Sequence, residues 1–284
     1  MKIILVSVGN FQDYIIGNII NLKLFNNHDI TVITDRKYFS ILDGWDIELV
    51  DCNELDDYNF KHHSKLDKFF RNGFWHLCSL RFFYLYSYIK KNNIVNCLHI
   101  ENDVLTYIDF HDFDKNIKNN KIYATFDSDK RVIPGILFIP NPEAFRPIIE
   151  NYNVSKNDME NLADFDENII SPFPIFPIID GCINKFNKNF PDFNTIFDAA
   201  AIGQYLGGVD KNNNPSDTRG FVNETCVIKY DKYLFHWIEK NGLFVPHLNI
   251  DGKMIQINNL HIHSKELHNF MANNPLEYKY ITKC

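Results

Sequence analysis

A chain of 284 residues with 45% hydrophobic and 23% charged residues is long enough to bury a sizeable core and too apolar to remain disordered. Its formal charge of −7 comes without a Lys/Arg cluster interleaved with aromatics, which argues against nucleic-acid binding, so a phosphate-bearing ligand needs a metal or a few placed cations. No apolar run approaches the roughly 20 residues of a membrane span, the N-terminal apolar run is too short for a signal peptide, and the cysteines form no C-x-x-C pair, which together predict a soluble cytoplasmic protein with reduced thiols.

In chain order, residues 3–8 read as a buried strand, followed by a helix over residues 14–25 with Asp13 as its cap. Strands are expected at residues 30–34 and 47–50, then a long helix from about Lys65 to Lys91, stopped by Asn92-Asn93. Residues 98–100 form a further short strand, and this alternation predicts an α/β fold with a mostly parallel central sheet and flanking helices. Beyond it, residues 122–126 and 135–139 look like strands, and Asn141-Pro142 opens a helix. Residues 153–192 are rich in Asn and Pro and predict loops, a lid or an acceptor wall. A helix over 195–206 closes at Gly207-Gly208. Asp251-Gly252 marks a hairpin turn ahead of strand-like residues 253–263. There is no repeat and no linker, so the reading is one domain, 1–284.

The most informative stretch is Leu98-His99-Ile100-Glu101-Asn102-Asp103-Val104-Leu105. In extended backbone Glu101 and Asp103 project to the same side, and two carboxylates at the carboxyl end of a buried strand suit a hard divalent cation that in turn holds phosphates. Asn259-Leu260-His261-Ile262-His263-Ser264-Lys265 is the second constellation: two imidazoles on one strand face, then a cation. On the long helix, Arg81 falls within an apolar and aromatic stripe and must meet an anion, either a nucleotide phosphate or a structural carboxylate. Arg71, near the start of that stretch, reads as surface. Gly9-Asn10-Phe11-Gln12 and Thr34-Asp35 end their strands where an open α/β sheet binds ligand, so Asn10, Phe11 and Asp35 are candidates to contact a base or ribose. Without G-x-G-x-x-G, no Rossmann phosphate loop is indicated. Asp127, Asp180 and Asp198 compete as catalytic acid or base, with Asp198 first.

Taken in order, these pieces resemble a GT-A type glycosyltransferase. The runs Phe197–Asp210, Gly220–Glu224 and Leu260–Lys265 are similar to segments of bacterial and giant-virus members. The resemblance implies hexosyltransferase-type transfer of a sugar from a nucleoside-diphosphate donor, a UDP-sugar, to a glycan or other acceptor with Mn²⁺ or Mg²⁺. It implies a nucleotide-binding half, 1–105, and an acceptor half, 106–284, ending in a metal and diphosphate segment. Asp103 then ligates the metal, Glu101 contacts the metal or the ribose, Asn102 contacts the nucleotide, His261 or His263 completes the coordination, and Lys265 holds the diphosphate. The first acid of the motif is Glu here where Asp is usual. The His run also lacks the glycine and Pro-Trp of the lipopolysaccharide galactosyltransferase and glycogenin group, so retention or inversion of configuration stays open, as does oligomeric state. If the source is viral, the host cytoplasm is the compartment. The alternatives are a metal-dependent hydrolase using the same donors, and a catalytically silent nucleotide-sugar binding protein.

Overall fold

The computed structural model describes residues 1–111, 113–117, 120–212 and 218–274. The final cysteine, Cys284, lies outside these, and the other five are free thiols. The first part alternates as expected: β1 (Lys2–Ser7), α1 (Ile15–Leu24), β2 (Ile30–Thr34), the short α2 (Phe39–Leu42), β3 (Glu48–Asp51), the short α3 (Phe60–His63), the long α4 (Phe74–Lys91) and β4 (Cys97–Ile100). Then follow β5 (Val104–Thr106), β6 (Ile122–Ser128), β7 (Arg131–Ile139), α5 (Pro142–Glu150), α6 (Asp158–Ala163), β8 (Ile170–Pro172), α7 (Phe190–Phe193) and α8 (Ile202–Gly207). The last strands are β9 (Leu234–Lys240), β10 (Leu243–Ile250), β11 (Lys253–Gln256) and β12 (Asn259–His261).

The central sheet has seven strands in the order β3-β2-β1-β4-β7-β6-β8. It is mostly parallel, with β7 running antiparallel to both β4 and β6. A three-stranded antiparallel sheet, β11-β10-β9, and a two-stranded pair, β12-β5, complete the strands. Among the described residues no helix is long and apolar enough to cross a membrane. The many Phe residues have a packing role: Phe113, Phe173, Phe193 and Phe197 form one aromatic cluster with Tyr123 and Phe138, in which Phe173 stacks on Phe197 at 4.3 Å. Each such ring contributes roughly 1.5–3 kcal/mol by leaving water.

Four local expectations change. Asp13 does not cap α1; Tyr14 occupies that position without a side-chain cap bond. The long helix begins at Phe74 because the preceding turn is bent: Arg71, Asn72 and Gly73 all have positive φ, and the Asp67 carboxylate accepts from the amides of Phe69 and Phe70. The helix expected over 195–206 starts only at Ile202, because Asp198 takes over the amides that would begin it earlier. Residues 253–263 split into two strands with different partners: β11 pairs with β10, and β12 with β5.

β4 carries a buried histidine. His99 Nδ1 lies 2.9 Å from the Ile4 carbonyl oxygen, which only accepts, so Nδ1 carries the proton; Nε2 is buried without a partner, which defines a neutral ring. Burial, and then the charge of Arg81, push its pKa down to about 4. Between pH 6.5 and 4 the unfolded chain therefore binds a proton that the folded protein refuses, so stability falls as pH falls, by about 3 kcal/mol at the lower end. Urea unfolding across that range is expected to show this loss in the wild type and a shallower dependence in His99→Asn.

Candidate functional site

The site forms where the chain leaves β4. The Glu101 amide donates to the Gly135 carbonyl at 2.9 Å, and the Val104 amide to the Glu101 carbonyl at 3.1 Å, closing a tight turn between β4 and β5. From α1, the Asn18 side chain donates to the Glu101 carbonyl at 3.0 Å and Asn21 donates to the Thr106 carbonyl at 2.7 Å, so two buried amides bracket the turn. Glu101 and Asp103 are left facing one space. Asn102 also borders this space and donates to the Val6 carbonyl at 2.9 Å and to Gln12 Oε1 at 2.5 Å, bracing the turn against β1 and the segment after it.

β12 brings the histidine. In its antiparallel register with β5, His261 pairs with Val104, and the Ile262 amide donates to the Asp103 carbonyl at 2.8 Å. His261 Nε2 then stands 3.2 Å from Asp103 Oδ2 and 3.4 Å from Glu101 Oε2. One donor atom from each of the three residues lies within 4.8 Å of the others. Gly135 permits this approach, since a Cβ there would come 3.1 Å from His261 Nδ1. Lys265 pairs with Asp103, and its ammonium sits 5.6 Å over the Tyr14 ring. Arg81 pairs with Glu101 and, at 2.6 Å, with Asp158.

Charge holds this group together. Burial opposes ionisation of Asp103, but His261 and Lys265 outweigh it and hold the carboxyl well below its ordinary range. Glu101 is lowered in the same way, chiefly by Arg81 and then His261. Burial likewise opposes the His261 cation, yet Asp103 and Glu101 raise its pKa. His263 does not join the donor set. Its Nδ1 accepts from the Asp210 amide at 3.4 Å, and burial with the neighbouring Lys265 and His261 charges pushes it down to about 4. Two carboxylates with one imidazole fit Mn²⁺ in ligand type; Mg²⁺ favours an all-oxygen shell.

Around the acids runs a cleft of about 1060 Å³, room enough for a nucleotide-sized ligand. Asn10, Gln12 and Tyr14 line it together with Glu101, Asp103 and Lys265, and so do Arg131 and Gln204. Phe11 and Asp35 do not line it and brace the turn after β1: Asp35 accepts from the Gly9 amide at 2.8 Å, and the Phe11 ring lies 5.1 Å from Tyr38.

Three sequence candidates for the catalytic acid fall elsewhere. Asp198 is buried, and its two oxygens accept from the amides of Ala201, Ile202, Gly203 and His261 at 2.8–2.9 Å. Burial pushes its carboxyl up, and the four amides pull against that. It is a scaffold acid, and it does not line the cleft. Asp127 is buried against Ser128, Thr225 and Arg131, with burial raising its pKa. Asp180 is exposed in a turn away from the cleft. Arg71, expected at the surface, is half-buried in the cleft wall and pairs with Asp210 at 2.8 Å. Asp158, Arg131 and Gln204 also line the cleft: Asp158 lies in a stretch that reads as loop, Arg131 between two expected strands, and Gln204 inside the Phe197–Asp210 run, in which Asp198 is the residue the sequence singles out.

The sheet order, with the acid-x-acid turn following β4, is the α/β architecture with a mostly parallel central sheet and flanking helices that the sequence predicts. No family model matches the chain, and no curated protein matches it. Similar solved structures include the galactosyltransferase LgtC in complex with donor and acceptor sugar analogues, 12% identical, covering 61% of this chain and 73% of that one with a TM-score of 0.41. The glycosyltransferase GlyE of Streptococcus pneumoniae TIGR4 is 16% identical, with 60% of this chain and 45% of that one covered and a TM-score of 0.40. Mouse xyloside xylosyltransferase 1 is 7% identical, with 61% and 84% covered and a TM-score of 0.41. At these identities no substrate or residue role passes to this chain.

Removing the Asp198 carboxylate strands four buried amides. Asp198→Ala is expected to lose about 3 kcal/mol or more in chemical denaturation, with donor binding lost only as the fold is lost. A variant of wild-type stability with binding or turnover alone abolished would instead restore Asp198 as a catalytic acid.

Proposed function

We propose that this protein is a divalent-metal-dependent glycosyltransferase that moves a sugar from a nucleoside-diphosphate donor, a UDP-sugar, to a hydroxyl of a glycan acceptor. The observation that carries the reading is the convergence of Glu101, Asp103 and His261 beside Lys265 in one large cleft. In such a transfer the bond from the anomeric carbon to the diphosphate oxygen breaks and its electron pair leaves with the diphosphate. The acceptor oxygen bonds to the anomeric carbon and gives up its proton. The chain's task is to hold the growing negative charge of the leaving group and to align the acceptor.

Asp103, His261 and Glu101 would hold the metal, which when bound supplies a positive charge for the diphosphate. Lys265, paired with Asp103, adds a second cation to the same space. Glu101 is shared with Arg81, which orients its carboxylate and sets the reach of the longer acid. Asn10, Gln12 and Tyr14 offer polar and aromatic contacts at the end of β1 for the nucleoside, while Phe11 and Asp35 keep that turn in shape.

Titration calorimetry of UDP with Mn²⁺, repeated with EDTA and with GDP, tests the proposal. Metal-dependent binding is expected in the wild type, at least a hundredfold weaker in Asp103→Asn while circular dichroism shows the protein still folded. Lys265→Ala is expected to weaken UDP binding about tenfold while Mn²⁺ binding remains. No nucleotide binding in any condition points to the hydrolase that uses the same donors.

A further inference from the structure

Several residues that line the cleft carry buried polar atoms that no protein group satisfies. Gln204 Oε1 and Arg131 Nε are both buried without a hydrogen-bond partner, and both residues line the cleft. A buried polar atom left unpaired costs about 1–3 kcal/mol, so such atoms persist where a ligand or water supplies the partner. Gln204 as a whole is only 9% exposed.

The backbone holds both groups in place. Gly203 packs so closely on the His261 carbonyl oxygen that a Cβ there would fall 2.0 Å from it, so α8 seats directly on the strand carrying the candidate metal ligand. The Asp198 carboxylate holds the amides of residues 201–203. The next residue is Gln204, whose distance from the acids is therefore set by main-chain contact. Arg131 is tied to the same frame: it donates to Thr225 Oγ1 at 2.6 Å, Thr225 donates to Asn223, and the Asn223 amide reaches the Ala200 carbonyl at 3.3 Å. Asp127, 3.5 Å away, balances the charge of Arg131, so the pair does not select an anion.

The sheet order gives the direction. β1 carries the turn proposed for the nucleoside, the acids follow β4, and Arg131 lies on β7, one strand further from β1. A donor with its nucleoside at β1 and its diphosphate at the acids carries its sugar just beyond them. The molecule that attacks that sugar approaches from the remaining side, toward β7 and α8. Resting on the transferase reading, we infer that Gln204 and Arg131 bind hydroxyl groups of a neutral sugar acceptor, the amide oxygen accepting from one and the guanidinium Nε–H donating to another.

The test measures binding of a panel of methyl glycosides of glucose, galactose and N-acetylglucosamine to the protein with Mn²⁺ and UDP bound, with UDP affinity followed separately. Gln204→Met removes the acceptor oxygen at similar size. Arg131→Lys keeps the charge beside Asp127 and removes Nε–H. Each is expected to weaken the best glycoside at least tenfold while UDP affinity moves less than twofold. Deoxy analogues of that glycoside on the wild type give a measurement independent of any variant's folding: deoxygenation at one or more positions should cost tenfold or more. Unchanged glycoside binding, a parallel fall in UDP affinity, a flat deoxy profile, or no glycoside bound by the wild type overturns the inference and leaves the metal-dependent UDP site standing. A wild type that binds no UDP overturns the transferase reading and this inference together.

Discussion

The candidate site depends on one pairing, the antiparallel register of β5 and β12. Those three residue pairs join segments far apart in the chain and set His261 opposite Val104, one residue beyond Asp103. The contact from His261 to Asp103 spans 158 positions. A slip of one residue would turn the imidazole to the other face of the strand and leave the two acids without it. Because β5 begins directly after the acids, the turn that presents the carboxylates and the strand that receives the histidine are one continuous piece of backbone. Geometry at the site is therefore as stiff as the strand pair.

Electrostatics then decides which groups are stable there. Glu101 and Asp103 are close-set buried acids, and neither could remain ionised alone in a low-dielectric wall. Arg81 and Lys265 approach from different elements and compensate one acid each, while His261 lies between them. Asp158 shares the one guanidinium charge of Arg81 with Glu101, through the other terminal nitrogen, and burial pushes its carboxyl up. A divalent cation at this place would compete with Lys265 for Asp103, which couples metal binding to the position of the ammonium proposed for the diphosphate.

Much of the frame was legible in the sequence because it rests on short-range rules. Buried runs of β-branched residues mark β1 and β2, and Asn141-Pro142 marks the start of α5, where the Asn141 side chain accepts from the Ala144 amide as the cap requires. The expectation failed where a side chain or a positive φ overrode periodicity. Asp67 and the bend at residues 71–73 shorten the long helix, and Asp198 shortens α8 by binding the amides that would have extended it. Asp198 looked like a catalytic acid because its neighbours are small and its motif is distinctive, yet the same features serve a close backbone crossing beneath the site.

By itself the sequence determined the chemical types and their spacing: a carboxylate pair at i, i+2 after a buried strand, an H-x-H run with a following lysine, and an arginine within an apolar stripe. The facing expected from extended backbone does not hold, because residues 101–103 form a turn and β12 ends at His261. A turn and not strand alternation presents the two acids. Only the tertiary structure decided which histidine meets the acids, that Arg81 satisfies Glu101 and Asp158, and that Arg71, Arg131 and Gln204 share the cleft. These are long-range contacts, and they follow from strand register, helix seating and charge compensation, none of which is written in the spacing of neighbouring residues.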